Sequence, residues 1–148
     1  MDKKSEKNNT TQRIAIVGSR YYRNYQYVYK KFSEILKDLE IDSKDVIIVS
    51  GGASGVDTTA KKIAKNIHSS SNNLVNYKEY NADWKEYGRA AGPIRNKLIV
   101  NESDIIIAFP YKASRETTNT INLTKKWNST KEGKENPKKL YIYRITDL

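Results

Sequence analysis

The sequence predicts an α/β fold in which a mostly parallel sheet of about five short strands is covered by helices on both faces. Three observations carry this prediction: apolar runs that stop at glycine or proline, amphipathic stripes that follow them, and the repeated alternation of the two. Because parallel crossovers are right-handed and place helices outside the sheet, the alternation favours a Rossmann-like three-layer α/β/α sandwich.

Short apolar runs of β-branched residues are typical of strands buried on both faces. Such runs cover 14–17, 46–49, 104–109 and 140–143, with a less apolar candidate at 74–80. Apolar residues at three- and four-residue spacing indicate the buried faces of helices. The helices are predicted over 25–39, 56–67, 90–100 and 117–127. Residues 69–73 and 131–139 are predicted to be loops.

The length of 148 residues fits one domain. Residues 1–12 are polar and lack periodicity, so we expect a disordered leader followed by a single domain over 13–148. No apolar run approaches a membrane span or a signal peptide, which predicts a cytoplasmic protein without a membrane partner. The chain has no cysteine and one histidine, so a structural metal is disfavoured, and no cofactor is indicated.

The net charge of +10, from 27 Lys and Arg against 17 Asp and Glu, favours polyanionic partners. The lysines are spread along the whole chain, however, which is typical of a surface selected for solubility. Nucleic acid is therefore kept as a partner that is less favoured than a small nucleotide.

One glycine-rich loop joins the second predicted strand to a helix, and it reads Gly51-Gly52-Ala53-Ser54-Gly55. Glycines there let backbone N–H groups approach a phosphate, and the helix N-terminus adds partial positive charge. The loop lacks the lysine of a Walker motif and the spacing of a dinucleotide fingerprint, so ATP hydrolysis is disfavoured. Asp57, in the first helical turn, either caps the helix or binds a ligand hydroxyl.

Three more polar segments follow predicted strands or begin predicted helices. Ligands of open parallel sheets bind beyond the carboxyl ends of the strands, so we expect these segments to meet the glycine-rich loop. Arg20 is either a phosphate ligand or a surface residue, and Trp84 either stacks on a base or packs in the core. The candidate binding residues in these segments are Gly18, Ser19, Arg20, Trp84, Arg95, Asn96, Ser114, Arg115 and Thr117.

These blocks occur in an order that resembles the SLOG superfamily, which joins the DNA-processing protein DprA and the Lonely-Guy phosphoribohydrolases. Within it the chain is most similar to the small YspA-like branch. The resemblance spans 13–143 and includes the run Gly-Arg-Ala-Ala-Gly-Pro-Ile-Arg-Asn at 88–96. It implies a homo-oligomer and a nucleotide or nucleotide-derived ligand that is sensed or cleaved at the glycine loops.

The chain departs from this family at Glu116. Lonely-Guy enzymes have Pro-Gly-Gly-x-Gly-Thr followed by a catalytic glutamate, whereas here Glu116 replaces a glycine and the glutamate position falls on Asn119 or Thr120. If the protein is an enzyme, Arg95 and Glu116 are its catalytic candidates. Because glycosidic cleavage needs a placed carboxylate, binding without turnover is favoured.

Three functional hypotheses follow from the sequence. The favoured one is a protein that senses or sequesters a nucleotide or nucleotide derivative. The second is a hydrolase that cleaves the N-glycosidic bond of nucleoside monophosphates. The third is a single-stranded nucleic-acid binder resembling DprA.

Overall fold

The computed structural model describes residues 11–68, 76–112 and 114–148. The strands are β1 (Gln12–Gly18), β2 (Val46–Ser50), β3 (Tyr77–Glu79), β4 (Ile105–Phe109) and β5 (Lys139–Ile142). The helices are α1 (Tyr25–Asp38), α2 (Val56–His68), α3 (Trp84–Tyr87), α4 (Ala91–Asn101), α5 (Arg115–Ser129) and α6 (Lys131–Glu135). Short 3₁₀ turns occupy Ser43–Asp45 and Gly88–Ala90.

Two of the predicted segments lie wholly or partly outside the residues that the structure describes. The predicted loop 69–73 and residues 1–10 of the predicted leader lie outside the described residues. Strand β1 begins at Gln12, the last residue assigned to the leader. The division into a leader and one domain stays a prediction.

The five strands form one sheet in the order β3-β2-β1-β4-β5, and every described pair is parallel. This confirms the predicted α/β class and the mostly parallel sheet. The central strand β1 pairs on both sides, since Ile14 lies opposite Ile48 in β2 and opposite Ile105 in β4. The chain winds outward from β1 to β3 and then returns to β4, so the strand order reverses between β1 and β4. Ligand crevices form at such reversals.

Side chains alternate across β1 and build a core on each face of the sheet. Ile14 and Ile16 pack with the face that carries Phe32 of α1 and Ile63 of α2. Ala15 and Val17 point to the opposite face, where the core includes Ile99 of α4 and Ile121 of α5. Helices therefore cover both faces, and the predicted three-layer sandwich is confirmed.

Two short helices were not predicted. Helix α6 occupies 131–135 inside the predicted loop 131–139, so the loop prediction is wrong there, and Thr130 caps it by accepting a hydrogen bond from the Gly133 backbone at 3.0 Å. Helix α3 is capped by Asp83, which accepts from the Glu86 backbone at 3.0 Å. Both helices depend on local caps rather than on a repeating apolar face, which explains why periodicity missed them.

Candidate functional site

A cavity of about 1060 Å³ opens at the carboxyl edge of the sheet, at the reversal between β1 and β4. Its walls include the segments that follow β1, β2, β3 and β4, together with residues of α3, of α4 and of the N-terminal part of α5. The predicted residues that line it are Gly18, Ser19, Arg20, Gly51, Gly52, Ala53, Ser54, Asp57, Trp84, Arg95, Asn96, Ser114, Arg115, Glu116 and Thr117. The structure therefore brings the predicted segments together, while the binding role of each residue stays a prediction.

Gly55 is the predicted residue that does not line the cavity. Its φ of +75° lies in the left-handed region, and a Cβ atom there would collide with the backbone of Ser19 and Arg20. Gly55 thus lets the loop after β2 pack directly on the loop after β1. Its role is to join the two loops rather than to approach a ligand.

Ser19 holds the loop after β1 in place. Its backbone N–H donates to the Phe109 carbonyl at 3.1 Å, and its own carbonyl accepts from Val56, the first residue of α2, at 3.1 Å. Its side chain is buried and accepts from the Tyr21 backbone at 3.1 Å. Ser19 therefore fixes the point where β1, β4 and α2 meet, and it leaves Arg20 exposed at the rim.

Asp57 lies at the floor of the cavity, in the first turn of α2. Its side chain is 7% exposed, and Oδ2 accepts from the Ala53 backbone at 3.1 Å. Burial raises the pKa of this carboxyl to about 6, although the hydrogen bond from Ala53 and the nearby Arg95 charge oppose that rise. The carboxyl thus bonds the glycine-rich loop ahead of α2 and also lines the cavity, so both the capping role and the ligand role stay predictions.

Arg95 lines the cavity but is largely buried beneath the glycine-rich loop. Its guanidinium donates through Nη1 to the Gly51 carbonyl at 3.0 Å and through Nε to Asn96 Oδ1 at 2.8 Å. Nη2 lies 3.5 Å from Glu116 Oε1. With 8% of the residue exposed and three protein partners, Arg95 acts first as a brace that connects α4, the loop after β2 and α5.

Glu116 occupies the position where the resemblance predicted glycine. Its carboxylate packs over Gly92, where a Cβ atom would clash with it, and accepts from Asn96 Nδ2 at 3.1 Å. Asn96 also donates to Asn119 Oδ1 at 2.9 Å. Together with Asp57, Glu116 makes the floor of the cavity acidic around the single buried Arg95 charge.

The N-terminus of α5 opens on the same cavity. Ser114 stands at the N-cap position, but its side chain donates to Thr117 Oγ1 at 3.1 Å and caps no backbone N–H. The first backbone donors of a helix normally need such a partner, and an anion can supply it. Arg115 is exposed beside this end, so the rim of the cavity carries both backbone N–H donors and a positive side chain.

Four exposed cations surround the cavity: Arg20, Arg89, Lys112 and Arg115. None of the four forms an ion pair within the described residues. Arg89 and Lys112 were not among the predicted site residues. Arg89 belongs to the 88–96 run and Lys112 follows β4 after Pro110 and Tyr111, so both lie in segments expected at the ligand edge of the sheet.

Two exposed aromatic rings line the cavity as well. Trp84 is 54% exposed and Tyr21 is 64% exposed, so neither is a core residue, and the core-packing alternative for Trp84 is wrong. Arg20 lies over the Tyr21 ring with its guanidinium carbon 5.8 Å from the ring centroid. Tyr87 is 47% exposed on the same short helix as Trp84 but does not line the cavity.

No group of three or more acidic or histidine side chains in the described ranges is arranged to hold a metal ion. Likewise, no helix in the described part of the chain is long and apolar enough to cross a membrane.

A family model described as DNA recombination-mediator protein A matches residues 4–77, which is half of the chain. The chain belongs to this family. Since the DNA recombination-mediator proteins are part of the SLOG superfamily, the superfamily resemblance is confirmed. The chain is also similar to the Gene 61 protein of Mycobacterium phage D29, with 28% identity over 116 residues that cover 78% of this chain and 90% of the phage protein.

Among solved structures, the chain is similar to DNA processing protein A from Helicobacter pylori, whose structure was determined for its mode of single-stranded DNA binding. The TM-score is 0.57 at 17% identity, and the match covers 90% of this chain. It covers 66% of the Helicobacter pylori chain, so this chain spans just under two thirds of that protein. At this identity the similarity shows the shared fold.

Proposed function

We propose that the protein binds single-stranded DNA in the cavity at the carboxyl edge of the sheet. The observation that carries the proposal is that four exposed cations, which form no ion pair with any described residue, and two exposed aromatic rings surround one cavity. Phosphates then lie against the cations and the open N-terminus of α5, while bases stack on Trp84 and Tyr21. Membership in the DNA recombination-mediator family and the fold shared with a protein that binds single-stranded DNA support this function.

The acidic side chains at the floor of the cavity favour a position for the phosphates at the rim. Arg95 already has three protein partners, and the carboxylates of Asp57 and Glu116 lie around it. A phosphate placed on the floor would meet the buried Asp57 carboxyl and the partly exposed Glu116 carboxylate, which is unfavourable. At the rim, Arg20 and Arg115 are exposed and form no ion pair within the described part of the chain, so phosphate binding there would avoid that penalty.

The test is anisotropy with labelled oligothymidylate, titrated at several salt concentrations between about 50 and 200 mM. We expect affinity to fall with salt and the double variant Arg20→Ala/Arg115→Ala to reduce the salt slope by about 1.4, or ~0.7 for each lost contact to a single strand. Lys125→Ala is the matched control, since this exposed lysine on α5 does not line the cavity. An unchanged slope in the double variant contradicts the proposal.

A separate pair of substitutions tests whether a base stacks on Trp84. Trp84→Ala should weaken binding by about 1–3 kcal/mol, which is typical of one stacked base. Tyr87→Ala is the control, because Tyr87 is similarly exposed on α3 but lies outside the cavity lining. Equal effects of the two substitutions would rule out base stacking on Trp84.

Binding of a free nucleotide is the second candidate, and the enclosed floor favours it. Pockets of about 300–1,000 Å³ are typical for small ligands, and Asp57 and Glu116 are placed to accept hydrogen bonds from ligand hydroxyl or amino groups. Under this function a mononucleotide raises the melting temperature while oligothymidylate does not. Turnover would appear as release of free base from a nucleoside monophosphate, with Arg95 and Glu116 required. The YspA-like branch, the homo-oligomer and the cytoplasmic location stay predictions.

A further inference from the structure

A second, smaller cleft of about 330 Å³ lies where the segments that follow β4 and β5 run side by side. The Ile145 backbone N–H donates to the Pro110 carbonyl at 2.8 Å, and Tyr111 pairs with Ile145 in an isolated parallel bridge. These bonds extend the β4–β5 pairing past the ends of both strands. The cleft therefore has a fixed backbone wall at the same edge of the sheet as the main cavity.

Tyr111 and Lys112 line both the main cavity and this cleft. Lys112 has a φ of +52°, in the left-handed region that non-glycine residues rarely adopt. Its ammonium group lies 5.2 Å from the centroid of the Tyr111 ring. The boundary between the two spaces is thus one exposed cation beside an aromatic ring, and an anion that crosses it passes Lys112.

The cleft is basic on its far side as well. Arg144 is exposed and lines the cleft, and it forms no ion pair within the described residues. The described lining contains no carboxylate, in contrast to the acidic floor of the main cavity. Thr146 adds a hydroxyl group, and the buried Ile145 and Pro110 add an apolar surface. Cations, a hydroxyl and an apolar wall together suit a phosphodiester that carries a base or sugar.

We propose that this cleft is a second nucleotide subsite, which takes the nucleotide next to the one held in the main cavity. This inference rests on the proposed single-stranded DNA binding. It predicts the path by which the strand leaves the main cavity. The strand leaves the main cavity over Lys112 and places its next phosphate at Arg144. A polymer reaches both cations, whereas a mononucleotide fills the main cavity without contacting Arg144.

The experiment compares two probes, a thymidine mononucleotide and an oligothymidylate of twelve nucleotides, on the intact chain. Arg144→Ala should weaken binding of the longer probe about threefold to tenfold and reduce its salt slope by about 0.7, because one phosphate contact is lost. Arg144→Lys should restore most of the slope, since the charge is kept. Binding of the mononucleotide should stay within twofold of wild type. Lys125→Ala is the matched control, and melting temperatures check that each variant is folded.

The outcomes separate this inference from the function on which it rests. If Arg144→Ala binds the longer probe as well as Lys125→Ala does, while Arg115→Ala weakens it, the second subsite is wrong and DNA binding stands. Equal losses for both probes place Arg144 at the main cavity and likewise contradict the inference. If wild-type protein binds neither probe in a salt-dependent manner, the proposed function fails and the second subsite fails with it.

Discussion

The Arg95 guanidinium donates a hydrogen bond to the Gly51 carbonyl at 3.0 Å, and this contact joins α4 to the glycine-rich loop across 44 positions of sequence. The loop therefore depends on a buried cation for its conformation. Arg95 also holds Asn96 and Glu116, so one side chain sets the relative positions of three cavity walls.

Arg95→Met should lower the free energy of unfolding by about 2–4 kcal/mol, because the Gly51 carbonyl and Asn96 lose a buried donor and two acidic groups lose their counter-charge. The loss stays below that of a fully buried pair, since the Glu116 side chain is 36% exposed and can rehydrate. Urea denaturation measures it. Arg89→Met is the control, because Arg89 lines the cavity while exposed; equal stability of the two variants contradicts the role assigned to Arg95.

Gly55→Ala should destabilise the protein by more than about 2 kcal/mol. The substitution adds left-handed backbone strain, typically 1–2 kcal/mol, to a collision with the Ser19 and Arg20 backbone, which no side-chain rotation relieves. Gly88→Ala separates the two effects, since Gly88 has a φ of +56° and open space around it. For Gly88→Ala we expect only the destabilisation that comes from backbone strain. Similar melting temperatures for both variants would show that the two loops do not pack as described.

Asp57 should make stability fall as pH rises between about 4 and 6. Burial raises the pKa of this carboxyl from 3.8 to about 6, so the folded state binds the proton more tightly than the unfolded chain. The stability gained from protonation is complete below the unfolded pKa and is lost as pH rises through the folded pKa, with an upper size of about 3 kcal/mol.

Asp57→Asn removes that titration. Measured from pH 4 to 8, the free energy of unfolding of the variant should therefore rise relative to that of wild type up to about pH 6. Above that pH the two curves should run parallel. Asp38→Asn, at an exposed position, serves as the control. Parallel curves over the whole range for Asp57→Asn would mean that the carboxyl titrates normally.

Glu116→Gln should strengthen binding of single-stranded DNA about threefold. The substitution removes a negative charge that faces the cavity, while an amide oxygen can still accept from Asn96. The gain should be larger at low salt, because screening weakens the repulsion that is removed. Glu86→Gln is the control, since Glu86 lies outside the cavity lining and its substitution should leave the affinity for DNA unchanged. Weaker binding by Glu116→Gln would contradict the prediction and assign the carboxylate a direct role in holding the ligand.

The main strands and the meeting of their loops were predictable, because apolar runs and alternation with helices are enough to define a parallel sheet and its ligand edge. The role of Gly55 was not, since glycine looks the same in sequence whether it admits a phosphate or another loop. The ligand role expected for Arg95 stays a prediction, whereas its burial was not predictable, because it depends on contacts with Gly51 and Glu116 that sequence spacing does not encode. Arg89 and Lys112 lie in segments that were expected at the ligand edge, but which of the many basic residues face the cavity depends on the fold.

The central position of β1 has a consequence for any shortened form of the chain. The family match ends at residue 77, yet β1 also pairs with β4, where Val17 lies opposite Ala108. A fragment that stops near residue 77 leaves one whole side of β1 with unpaired backbone donors and acceptors and with apolar side chains uncovered. Because an open strand edge pairs readily with strands of other molecules, we expect truncated chains to self-associate.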